Sequence, residues 1–275
     1  LSTPNFQPQS PLFNTLPGEI RNDIFALALI QHEDDEEAYP EDSYWYRPGF
    51  RAPRRSSSAL LRTCKRAYAE GQKVFLRDLE WAFWFDRGPA GRSGSAACQS
   101  FFNNLTPEAA QRLGKVRFFT QMYWLEGRHN LRALMRLPNF QPHTLTITIR
   151  YSDWWFWEDN QPLCMREDCL NNFMGHAGLR ELRVEYETLA WKGEEMMKIV
   201  QRNKRVKLAL RGGEGHLSAE GTQLEEWRWS GTSRLGGQEW RHHGEGSTVE
   251  YVVVVDKWVF VEGAFEGRNE VEEEE

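Results

Sequence analysis

The 275 residues are 40% apolar and 13% aromatic, enough to bury one large core or two modest ones. A formal net charge of −6 argues against a general nucleic-acid binder or an anionic-membrane binder, and no apolar run approaches the length that a membrane-crossing helix needs. Cys64, Cys98, Cys164 and Cys169 lack paired zinc-ligand spacing and read as reduced thiols of the cytoplasm or nucleus, with two disulfides left open by count alone.

Residues 1–15, rich in Pro, Gln, Ser and Asn, read as an extended arm, with Phe13 as a staple onto the helix that follows. Leu1 is not an initiator methionine, so a targeting segment removed before it would leave no trace here. Pro17 has no N–H to lose and a pre-set φ, which suits a first helical turn, with Thr15 or Leu16 in the cap region. Glu19 then places negative charge at the positive end of the helix, and Ile20, Ile24 and Leu27 recur at helical spacing with Phe25 and Ala28 widening the stripe, so this face is expected to be buried. The charged stretch 31–57 runs from an acidic block at 33–37 through Tyr44, Trp45 and Tyr46 to Arg47, Arg51, Arg54 and Arg55. It reads as a solvated loop, the alternative being that its arginines dock a phosphate or an acidic peptide. Ser58 opens a second helix with Leu61, Cys64 and Tyr68 near one face, and the aromatic stretch 80–85 reads as a strand.

Two blocks of this region follow a known pattern. They are Leu16-Pro17-x-Glu19-Ile20-Arg21-x-x-Ile24-Phe25 and, past the charged stretch, Leu60-Leu61-x-x-Cys64-x-x-x-Tyr68-x-Glu70, followed by Val74-Phe75-Leu76. Together they resemble the fungal F-box-like domain proteins, from which the chain departs in the long insertion between the blocks. The resemblance implies a helical head that binds a Skp1-type adaptor and a substrate-recruiting role in a ubiquitin ligase. Leu16, Pro17, Ile20, Ile24, Leu60, Leu61 and Cys64 are the positions that would carry the adaptor contact.

Gly, Pro and Ser make 87–99 a connector. Beyond it, helical pieces at 107–113, 131–137, 169–174 and 194–200 alternate with strands at 115–119, 144–149, 179–186 and 206–210. Leu179-x-x-Leu182-x-Val184 and Leu224-x-x-Trp227-x-Trp229 resemble the strand segment of leucine-rich repeats, although the usual asparagine is missing and the repeats are unequal. Segments 224–230 and 248–261 form a hairpin expected to cap the open end of the sheet. The expected fold is therefore mixed α+β: an F-box-like helical head over 16–86 with its insertion at 31–57, then an irregular leucine-rich-repeat-like βα body over 100–262 capped by a β-hairpin. An acidic disordered tail over 263–275 ends the chain. A closed α+β fold with a mixed sheet is the alternative.

Catalytic motifs are scarce. No Gly-x-Ser-x-Gly occurs, and the glycines at 212–215 lack the Lys-Ser/Thr of a phosphate loop. Cys164 and Cys169 flank Arg166, Glu167 and Asp168, but structural cysteines are commoner than reactive ones. His176 reads as a helix-end cap, and His242-His243 with Glu239 and Glu245 reads as a turn rather than a metal site. The aromatic run Trp154, Trp155, Phe156 and Trp157 is either a partner-binding hot spot or a plug on the core, with a carbohydrate or purine groove as a third reading. These residues favour a non-enzymatic protein-interaction module without cofactor or metal. A constitutive scaffold subunit without adaptor binding is a second reading, and an enzyme with a site not written in short motifs is a third.

Overall fold

The computed structural model describes residues 5–127, 129–171, 173–212, 215–243 and 246–263. The first four residues of the expected arm, the tail past 263, and Gly213, Glu214 and Glu245 lie outside the described residues. Helices α1 (Pro11–Asn14) and α2 (Gly18–Ala28) precede a small ladder of β1 (Gln31–Glu33) with β2 (Arg54–Ser56), and α3 (Lys65–Asp78) leads into β3 (Glu80–Trp84). Next come α4 (Ser95–Asn104), α5 (Pro107–Ala110), β4 (Lys115–Phe119), α6 (Met122–Leu125), α7 (Asn130–Met135) and β5 (Thr144–Ile149). Then follow β6 (Met174–Gly175), β7 (Glu181–Leu189), α8 (Gly193–Asn203), β8 (Leu208–Leu210) and β9 (Gly215–Ser218). The last strands are β10 (Glu225–Thr232), β11 (Arg234–Leu235), β12 (Gln238–Glu239) and β13 (Thr248–Glu262).

Among the described residues, one curled nine-stranded sheet dominates, in the order β3-β4-β5-β7-β13-β9-β8-β6, with β10 pairing β13 alongside. Strands β3, β4, β5 and β7 run parallel, with Glu80, Lys115, Thr144 and Glu181 in register. β13 is antiparallel to β7 on one side and to β10 and β9 on the other. Val252, Val253, Val254 and Val255 put apolar side chains on both faces of β13, which suits a central strand covered on both sides.

Alternation along the strands divides the sheet into two unlike faces. Phe83, Phe118, Leu145, Ile147, Leu182, Val184, Val254 and Trp258 turn toward the helices and join the main core with Phe102, Phe140, Met196 and Val200. Glu80, Arg117, Thr148, Glu185 and Glu187 turn the other way, toward the segment between β1 and β2.

This architecture overturns the expected helical head on a leucine-rich-repeat-like body. Among the described residues there is no separate F-box-like head: α3 runs straight into β3, an edge strand of the main sheet, and the β1–β2 segment packs across that sheet. Nor do they form a repeat arc, because the parallel strands end at the antiparallel β13. The hairpin of β10 and β13 does form, but β13 lies in the middle of the sheet instead of capping its end. Between β5 and β7, turns and the short β6 stand where a helix over 169–174 was expected. The connector at 87–99 is tied down: Gly94 N donates to Trp84 O at 2.9 Å, and β3 before it pairs with β4 after it. The expected solvated loop is also wrong, since Arg47, Phe50 and Ala52 are buried and Phe50 sits edge-on to Phe119 with ring centroids 4.8 Å apart.

Candidate interaction surface

Helix α2 begins directly after Pro17, whose φ of −57° is already helical, and carries Glu19 in its first turn. Its inner side holds Phe25, with Leu29 just past its end. Both pack with Phe13, Leu61, Ala67, Val74 and Leu79 in a small core separate from the main one. Gly71 of α3 permits the close crossing, since a Cβ there would stand 2.4 Å from Leu61 Cδ2 and 2.7 Å from Phe25 Cδ1. Above this core, Arg21 Nε donates to Glu70 Oε2 at 2.7 Å, Arg66 Nε donates to Glu70 Oε1 at 3.0 Å, and Arg21 Nη1 holds Leu16 O at 2.7 Å. Burial raises the Glu70 carboxyl, but the hydrogen bonds and charges of Arg21 and Arg66 outweigh it and hold the group below its ordinary value.

The expected buried stripe does not hold together: α3 closes on Phe25 over Gly71, and the Ile20 and Leu27 side of α2 is left facing outward. Ile20 is 46% exposed, Leu27 73% and Ile30 63%, with Ile24 half-buried between them. Ile20, Ile24 and Leu27 are spaced by four and then three residues, one stripe opposite Phe25. Of the other positions singled out in the sequence, Pro17 is exposed, and Leu16 and Leu60 are half-buried. Leu61 is in the small core, and Cys64 Sγ caps α3 by accepting Ala67 N at 3.4 Å. The structure therefore leaves Pro17 and Ile20 exposed, keeps Leu16, Ile24, Leu60 and Cys64 half-buried, and turns Leu61 inward.

The aromatic run divides differently. Trp154 and Trp157 are buried, and Trp154 Nε1 donates to Glu187 O at 2.8 Å, so they plug the core. Trp155 is half-buried and donates to Glu126 Oε2 at 2.8 Å. Only Phe156 of the four stands out, 62% exposed and at a left-handed φ of +52° that side chains other than glycine rarely adopt. It borders a cavity of about 210 Å³ with Tyr123, Gln121, Arg87 and Glu158.

Sequence reasoning missed the polar network under the β1–β2 segment. Arg54 pairs with Glu80 at 2.7 Å, and Arg117 bridges Glu80 at 3.1 Å and Glu185 at 2.6 Å. Arg47, 2% exposed, reaches Glu185 at 3.2 Å and Glu187 at 3.5 Å. Burial pulls the Glu185 carboxyl upward, yet the charges of Arg117 and Arg47 and the hydrogen bonds from Arg117 and Thr148 prevail, leaving it lowered to about 2. Burial wins at Glu187, whose carboxyl is raised despite Arg47. Arg150 locks the same segment: it grips Asp153 through Nε at 2.7 Å and Nη2 at 3.0 Å, while Nη1 donates to Tyr44 O at 2.9 Å. The signal lay in the sequence as a mutual fit, outward carboxylates on β7 against arginines of 31–57, but nothing local announced that the two would meet.

The other candidate groups have structural tasks. Burial pushes the Cys98 and Cys169 thiols up to about 12, which removes the thiolate a nucleophile needs. His176 Nδ1 accepts Gly178 N at 3.0 Å, and Nε2 lies 2.7 Å from Pro142 O. Burial lowers its basicity, and the ring staples a turn where a helix end was expected. His242 and His243 bracket the Tyr151 hydroxyl, with Nε2 atoms 2.5 Å and 3.3 Å away. Among the described residues no group of His, Cys, Asp and Glu could hold a metal ion, and no helix is long and apolar enough to cross a membrane. No protein-family model, curated protein or solved structure matches the chain.

Proposed function

We propose that this chain is a non-enzymatic protein-interaction module that docks a partner polypeptide on the outer stripe of α2. The observation that carries the reading is the two-sidedness of that helix: Phe25 is wholly buried, while Ile20 and Leu27 on the opposite side stand in solvent. Burying such side chains against a partner is favourable by about 1.5–3 kcal/mol for each one fully covered. The helix is already held by Glu70 and the small core, so little ordering cost remains for binding. The partner proposed is a Skp1-type adaptor, on the strength of the Leu16-Pro17-x-Glu19-Ile20-Arg21 pattern, and a cytoplasmic or nuclear setting follows from that partner.

The experiment is a binding assay between the purified chain and a purified Skp1-type adaptor, run beside an Ile20→Asp/Leu27→Asp variant. Both side chains are exposed, so the variant should keep its circular dichroism spectrum and melting temperature while losing adaptor binding. Equal binding by both proteins removes α2 from the contact, and no binding by the parent chain removes the adaptor.

A further inference from the structure

β10 has one paired edge and one open edge. Its register with β13 runs from Glu225 opposite Val255 to Thr232 opposite Thr248, and among the described residues no main-chain group pairs with its other side. An edge of this length is a template for strand addition. The strand is also held firmly from behind. Trp229 stacks on Tyr251 with ring centroids 4.3 Å apart, and the Arg47 guanidinium lies 5.6 Å from the Trp227 ring. Trp227 and Trp229 thus occupy the inner face, and Glu226, Arg228 and Ser230 line the exposed outer one.

We propose that β10 pairs edge to edge with β10 of a second copy of this chain, antiparallel about a two-fold axis centred on Trp227. The choice of occupant comes from the charges. An axis relating two adjacent antiparallel strands stands perpendicular to the sheet, keeps like faces together and lies midway between two copies of one residue. Centred on Trp227, it sets Glu226 of each copy opposite Arg228 of the other, twice over. Centred one residue earlier it opposes Glu226 to Glu226, and one residue later Arg228 to Arg228. Directly opposed unlike charges stabilise a strand pair and like charges destabilise it. Charged residues on an edge commonly deter pairing. Here the two signs stand two positions apart on one face, so they deter the neighbouring registers and favour this one. Within one chain Glu226 and Arg228 lie 3.2 Å apart, 47% and 56% exposed, on the outer face beside the open edge.

The test uses sedimentation velocity on the full chain over a range of concentrations at low salt. The parent chain is expected to dimerise. Glu226→Arg and Arg228→Glu each replace two attractions by two repulsions and should weaken the dimer by about tenfold or more. Mixed in equal amounts, the two variants regain both attractions. The first carries only positive charge at these two positions and the second only negative charge, so unlike charges face each other at both crossings. The mixture should form a heterodimer as tight as the parent dimer. A simple loss of folding or solubility cannot produce that recovery. The proposal is overturned if the parent stays monomeric, if either single variant dimerises like the parent, or if the mixture does not associate. An Ile20→Asp/Leu27→Asp chain should remain dimeric, and its loss of the dimer would move the contact from β10 to α2.

Discussion

Glu185 is the carboxylate on which the polar face turns, and replacing it by glutamine tests whether that face is an electrostatic clasp. The substitution keeps the shape and removes the charge that Arg117 meets at 2.6 Å and Arg47 at 3.2 Å. Holding the carboxyl near 2 against an ordinary 4.5 corresponds to about 3 kcal/mol at roughly 1.36 kcal/mol per pH unit. Loss of one partner of a buried pair costs a similar amount, about 3–5 kcal/mol. Because the folded-state value lies below the unfolded one, this stability is complete above pH 4.5 and disappears as the pH falls toward 2. Urea unfolding followed by tryptophan fluorescence should therefore show Glu185→Gln less stable by about 3 kcal/mol at pH 7, with the gap closing toward pH 3. Glu187 has the opposite sign, since burial raises its carboxyl and its ionisation works against the fold as the pH rises. A deficit below about 1 kcal/mol for Glu185→Gln at pH 7, or one that does not change between pH 7 and pH 3, would refute the reasoning.

Gly71→Ala is expected to destabilise by about 1–2 kcal/mol, because the crowding against Leu61 and Phe25 exceeds the gain in helix propensity; a raised melting temperature would show that α2 and α3 are less closely packed. At Phe156, glycine relieves the left-handed backbone where alanine does not, so Phe156→Gly should be more stable than Phe156→Ala by about 1 kcal/mol in the same urea assay. The reverse order would place Phe156 outside the left-handed region in solution.

Local pattern made several strands legible. Alternation in Lys115-Val116-Arg117-Phe118-Phe119 and in the threonine–isoleucine run of β5 marks both strands at the bounds observed. It also shows which residues share a face, and Val116 and Phe118 do join the core while Arg117 meets carboxylates. Strand order is a different matter. β13 lies beside β7, about seventy residues earlier in the chain, and no local pattern encodes a pairing over that distance. The same holds for Arg47 and Phe50, whose loop-like surroundings conceal partners on β3, β4 and β7.

For the candidate surface, the residues alone gave one apolar stripe of Ile20, Ile24 and Leu27, widened by Phe25 and Ala28, and read it as the buried face of α2, whereas Ile20 and Leu27 stand in solvent. Which side would be covered was decided by packing: Gly71 lets α3 approach Phe25, and Glu70 draws Arg21 to the same side. Among the four aromatics at 154–157, likewise, chemistry gave no ranking. Trp154 and Trp157 reached the core while the left-handed turn at Phe156 directed its ring into solvent. Periodicity is a property of neighbouring residues and can be read along the chain. Burial depends on which distant surfaces arrive to exclude water, and that exists only once the chain has folded.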